Sequence, residues 1–144
     1  MQWQQPNTQN FAVAVVLNDA HEALVLKKTD DSTELFNWEL LMGYMGEQEN
    51  PLDVMQSRLM TVAGYFSTDW IYLGTFETGS QPQSGVGHFF LAKNAKKLES
   101  AQSMRGWQVA WVPLKQLKLA ILDGRISRLS HAMNVAMAFL TVLD

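Results

Sequence analysis

The chain contains no cysteine, which excludes disulfides, thiolate zinc sites and cysteine nucleophiles together. Charge is sparse as well. Asp, Glu, Lys and Arg make up 17% of the residues and the formal net charge is -3, so a surface that coats nucleic acid is not expected and any phosphate recognition has to be local. Long apolar runs are missing: the stretch Phe11 to Leu17 falls far short of the ~20 residues a membrane helix needs. The opening MQWQQPNTQN has neither a basic n-region nor an apolar h-region, so it does not read as a secretory signal, and a cytoplasmic protein is the default expectation. His21, His88 and His131 show no metal-ligand spacing and are expected at the surface or in packing roles.

What is present is a compact-domain composition. At 144 residues and 47% hydrophobic, the chain is long enough for one domain with a real core, and no repeat, linker or composition break divides it. Phe11–Leu17 and Glu22–Lys28 read as β-strands around the polar turn Asn18 to His21. Thr29 to Asn37 reads as a polar loop, and Gly43 to Glu49 as a second loop. A helix follows with clear signals: Asn50 as N-cap, Pro51 at the first position, Asp53 in the first turn and Gly64 as the stop. Leu52, Met55, Leu59 and Val62, spaced three, four and three, form its apolar stripe. Trp70–Phe76, Gly87–Ala92 and Trp107–Val112 read as strands, with Glu77 to Val86 an exposed loop and Lys93 to Arg105 a solvated connection. Pro113 opens a helix closed by Gly124. A last helix spans roughly Ser127 to Leu143, with Leu129, Met133, Ala136, Leu140 and Leu143 expected to face the core. Trp38, Phe36 and Trp70 have the shape to stack on a base or sugar, but as aromatics beside strands they are expected in the core. Ser84-Gly85-Val86-Gly87, which does not join a strand to a helix, is a weak phosphate cradle.

The segment from Trp38 to Tyr65, WELLMGYMGEQENPLDVMQSRLMTVAGY, resembles the Nudix box, G-x5-E-x7-R-E-U-x-E-E-x-G-U, where U is a bulky aliphatic. Gly43, Glu49, Leu59 and Gly64 fall in frame without an insertion, and Tyr65 takes the last position. The acids do not. Ser57 stands at the box arginine, Arg58 at the first catalytic glutamate, and Thr61 and Val62 at the final glutamate pair; Met60 fills the variable position. WELLMGYM is also similar to the W-E-L-P-A-G stretch of the ADP-ribose and nucleoside-diphosphate-sugar pyrophosphatase branch. LGTFETGSQPQSGVGHFFLA and WVPLKQLKLAILDGRI look like later parts of that branch.

The resemblance implies an α+β Nudix fold, a mixed β-sheet sandwiched between α-helices, built from the chain as a single domain. It implies a diphosphate site at the box loop and helix, where the family holds magnesium or manganese on the box glutamates. Glu39, Gly43 and Glu49 match positions near substrate and metal, and Met42 precedes the box glycine, where this branch uses a backbone carbonyl as a metal ligand. Magnesium wants hard oxygen ligands. Exchanging three glutamates for Arg58, Thr61 and Val62 moves the formal charge of that helix face from minus three to plus one. At an effective dielectric near 20, a guanidinium ~5 Å from a divalent cation costs roughly 6 to 7 kcal/mol.

No catalytic residue and no metal ligand is therefore assigned. Arg58 has two readings: a metal-free ligand for phosphate oxygens, or an ion-pair partner of Glu47 or Glu49. Three functions stand side by side. One is a Nudix-fold protein, impaired in catalysis, that binds a nucleotide-like ligand or a partner. A second is a working pyrophosphatase on magnesium or manganese held by Glu39, Glu47, Glu49 or Glu77. A third is a structural protein with no small ligand. Dimerisation, common in that branch, leaves a homodimer open, with the polar arm Met1 to Asn10 as a segment able to exchange.

Overall fold

The computed structural model describes residues 9–28, 38–80, 84–99 and 104–141. The expected loop Thr29 to Asn37, with Phe36, lies outside them, as do most of the N-terminal arm and Leu143. The elements in chain order are β1 (Asn10–Asn18), β2 (Glu22–Lys28), β3 (Leu41–Met45), α1 (Pro51–Arg58), β4 (Tyr65–Phe66), β5 (Asp69–Glu77), β6 (Val86–Lys97), β7 (Trp107–Pro113), α2 (Leu114–Asp123) and α3 (Leu129–Thr141). Between α1 and β4 the helix continues as a π-helical turn, Leu59–Ala63.

Strand β1 organises a seven-stranded mixed sheet among the described residues. Its side chains alternate between two faces, as the two-residue period of a strand requires. Phe11, Val13, Val15 and Leu17 pack with Leu117, Ala120, Val135 and Ala138 of α2 and α3. Ala12, Ala14 and Val16 pack with Met55, Leu59 and Val62 from α1 and its π turn. Both faces are covered, so β1 is apolar and buried from Phe11 to Leu17.

One edge of β1 pairs in parallel with β6 along its length. The other edge is shared. Strand β3 takes Asn10 to Ala14 in antiparallel register, whereas β2 pairs at Leu17↔Ala23 and then runs alongside β7. The sheet therefore forks. Two hydrogen bonds, Leu26 N to Glu39 O at 2.8 Å and Glu39 N to Leu26 O at 2.9 Å, bridge the branches.

Local chemistry fixes the elements. Asn18 Oδ1 accepts from Ala20 N and Glu22 N, closing the β1–β2 turn, with His21 at φ 61. Asn50 caps α1 by accepting from Leu52 N and Asp53 N, and Gly64 ends the π turn at φ 76, a left-handed conformation that a residue with a Cβ resists. Of the expected stripe, Met55, Leu59 and Val62 are fully buried and Leu52 packs at the margin.

Four sequence expectations are corrected. Gly43 is not in a loop but in the middle of β3, so the box loop is reduced to 46–50. Strand β6 runs on to Lys97 through the expected connection; a register shift opposite Val16 and Asn18, with Asn94 at φ 56, bends it there. The Nudix-like helix changes from α to π at Leu59. The expected core stripe of α3 points outward instead: Leu129 is 84% exposed and Leu140 85%. The inward face carries Val135 and Ala138, with His131 and Asn134 between them. Leu40 N donates to His131 Nδ1 and Asn134 Nδ2 donates to Phe90 O, whereas Asn134 Oδ1 is buried without a partner among the described residues. Among the described residues no helix is long and apolar enough to cross a membrane.

Candidate functional site

The fork between β2 and β3 opens into a cavity of about 320 Å³. Lys28 reaches it from the end of β2, Met42 and Tyr44 from β3, Arg58 from the end of α1 and Trp107 from β7; Glu39 and Arg128 close it from the bridge and from the residue before α3. Three cations thus face one carboxylate. Arg128 Nε lies 3.6 Å from Glu39 Oε1, with Arg128 half exposed, so this pair is partly screened.

Arg58 is the centre of the arrangement. Its Nε donates to the backbone carbonyl of Met42 at 3.0 Å. Gly43 makes that approach feasible, since a Cβ there would lie 2.9 Å from both Arg58 Cγ and Val54 Cγ1. The box glycine is required by the close passage of α1 over β3. Arg58 forms no ion pair among the described residues, which removes the expected pairing with Glu47 or Glu49. Glu49 accepts instead from Gly46 N in the exposed loop. On the far side of Arg58 lies a second hollow, of about 520 Å³, bounded by Glu49, Asp53 and Ser57.

Met42 is held from the other side by α3. The Leu40 N–H donates to His131 Nδ1, so the neutral ring carries its proton on Nε2, which faces Met42 Sδ at 3.4 Å. Burial, reinforced by the charge of Arg128, pushes the imidazole down to about 4. His131 therefore fulfils the packing role expected of it and also fixes the backbone on which Arg58 rests.

The remaining sequence candidates are dispersed. Glu47 is exposed in the loop, Thr61 is exposed, and Val62 is fully buried under the sheet. Glu77 sits at the end of β5 beside a different hollow. Among the described residues no group of three or more His, Cys, Asp or Glu side chains is placed to hold a metal ion. The donor set does not suit magnesium or manganese, which need several oxygen ligands. The glycines at 85 and 87 answer to packing: a Cβ on Gly85 would meet Gln9 O at 2.6 Å, and one on Gly87 the Phe11 ring at 2.6 Å.

Sequence reasoning missed Lys28, Trp107 and Arg128. Arg128 left a trace, because a cation just before a helix opposes the macrodipole and a surface helix has no local reason to place it there. Lys28 and Trp107 left none. They meet only because β2 and β7 pair, Lys28 opposite Trp107, with the ammonium 5.7 Å from the ring centre.

No family model matches the sequence, and no curated protein matches it. Solved structures do match. A crystal structure of an ADP compounds hydrolase superposes with a TM-score of 0.73 at 12% identity, covering 93% of this chain and 72% of that one. A NUDIX hydrolase from Nitrosomonas europaea gives 0.70 at 10% identity, covering 92% and 88%. A structure from work on MutT of Aliivibrio salmonicida and Vibrio cholerae gives 0.60 at 19% identity, covering 76% and 82%. The chain has the Nudix fold and is MutT-like in architecture. At these identities the likeness extends to the fold, and chemistry has to be argued from the site.

Proposed function

We propose that this protein binds a diphosphate-bearing ligand of the nucleotide type in the fork between β2 and β3, and that it does so without metal-dependent hydrolysis. The observation that carries this reading is the hydrogen bond from Arg58 Nε to the Met42 carbonyl. In the pyrophosphatases that the sequence resembles, that carbonyl belongs to the metal. Here a guanidinium takes it, presenting fixed positive charge and further N–H donors toward the same hollow. Arginine forks match phosphate oxygens, and a charge-assisted hydrogen bond of this kind contributes about 1.5 to 3 kcal/mol. Lys28 and Arg128 add charge of the same sign, which supports an anionic ligand.

Hydrolysis is a separate matter. It would need a bridging metal to neutralise developing phosphate charge and activate water, and the positions that resemblance assigns to its ligands hold Arg58, Thr61 and Val62. The experiment is phosphate release from ADP-ribose and a panel of nucleoside diphosphate sugars with magnesium and then manganese, alongside Glu49→Gln. The expected result is no turnover at ordinary enzyme rates of about 1 to 1000 per second. Turnover at those rates that disappears in Glu49→Gln would establish the alternative, a working pyrophosphatase with relocated ligands.

A further inference from the structure

Arg128 lines two cavities. On one side is the cationic hollow; on the other is a cavity of about 430 Å³ between the start of β1, the end of β5 and the first turns of α3. The second is walled mainly by apolar side chains, with Glu77, Thr78 and Ser130 beside them. Phe11 and Phe76 each meet Phe89 edge to face, at 6.2 and 5.7 Å between ring centres. Leu129 and Met133 form the opposite wall. Phe76, Leu129 and Met133 are 41%, 84% and 39% exposed, so the rim leaves apolar surface in water.

We infer that the site takes an amphiphilic phosphate, a phosphate or diphosphate ester of an apolar alcohol such as a prenyl or alkyl chain, with its head at Arg58 and Lys28 and its tail between Phe76 and Met133. The inference rests on the preceding reading for the diphosphate head alone and departs from it at the other end of the ligand, where an apolar tail takes the place of the nucleoside. Adjacency is the first argument: Arg128 borders both cavities, so its guanidinium stands where a phosphate head in one and a tail in the other would meet. Chemistry is the second. A nucleobase carries donors and acceptors around its ring that have to be satisfied when buried. Thr78 has its hydroxyl engaged by the Ser84 and Gly85 carbonyls, leaving Glu77 and Ser130 as the wall's uncharged or acidic polar side chains. An alkyl chain asks nothing of them, and each buried methylene gains about 0.8 kcal/mol.

The test is calorimetric titration with chelator present, using inorganic pyrophosphate, geranyl diphosphate and ADP. Wild type is compared with Leu129→Ser and Met133→Ser, and with Leu140→Ser, an exposed residue on the same helix that lies outside the cavity. The expected result is geranyl diphosphate binding at least tenfold tighter than pyrophosphate and tighter than ADP. That gain should shrink at least threefold in Leu129→Ser and Met133→Ser but not in Leu140→Ser, with pyrophosphate affinity the same throughout. Pyrophosphate binding without any gain from the prenyl chain, or tighter binding of ADP, overturns this inference and leaves the head-group reading intact. Failure of pyrophosphate to bind removes the head-group reading and this inference with it. Variants that spare ligand affinity but dissociate a dimer would make the cavity a subunit contact and also overturn it.

Discussion

His131 Nδ1 accepts the Leu40 amide proton at 3.1 Å, while its Nε2 faces the sulfur of Met42 at 3.4 Å, so one buried imidazole ties α3 to the strand that carries the site. The bond requires the neutral ring. Burial and Arg128 push His131 from the usual 6.5 down to about 4, so between those values the unfolded chain binds the proton and the folded one does not. Stability is then fully present above pH 6.5 and falls as the pH drops toward 4, by up to on the order of 3 kcal/mol. Urea unfolding at a series of pH values should show this slope in wild type and a flatter one in His131→Gln. Equal slopes would place the pH dependence elsewhere.

The lost acids cannot all be restored. Val62 is fully buried against β1 and β3 side chains, so Val62→Glu places an unpaired carboxylate in the core and should cost about 3 to 5 kcal/mol. Thr61→Glu, on an exposed position of the π turn, should cost less than about 0.5 kcal/mol. Thermal unfolding of the two variants reads the difference directly, and similar melting temperatures would mean that the helix turns its faces differently.

Gly43→Ala should destabilise by about 1 to 3 kcal/mol, the range for overpacking, because the new methyl meets Arg58 Cγ and Val54 Cγ1 at 2.9 Å. It should also weaken pyrophosphate binding, since the nearest way to relieve the clash is to move the Arg58 stem away from Met42. Loss of stability with unchanged binding would show that α1 moves as a body and carries the guanidinium with it.

These positions also show what the sequence could and could not reveal. The strand at Phe11–Leu17, the caps at Asn50 and Gly64 and the in-frame glycines were legible, because each is dictated by neighbours close in the chain. The missing acids were legible for the same reason. The contacts of Arg58 were not: Glu49, nine residues away in the chain, was the plausible partner, whereas Met42 O is the one the packing of α1 on β3 supplies. Helix α3 misled for a related cause. Its largest apolar residues read as a core stripe, yet the sheet beneath it takes Val135 and Ala138, with His131 and Asn134 bonded to backbone, and leaves Leu129 and Leu140 outside. Lys28 and Arg128 joined the site through strand pairing and helix placement, which no local pattern encodes.

The most direct test of the central claim, that the Arg58 guanidinium stands where a metal would, is pyrophosphate affinity measured by calorimetry with chelator and then with magnesium, in wild type and Arg58→Met. The account predicts binding in chelator that magnesium does not strengthen and that Arg58→Met weakens at least tenfold, about 1.4 kcal/mol. Binding that appears only with magnesium, or that survives the loss of Arg58 unchanged, would contradict it.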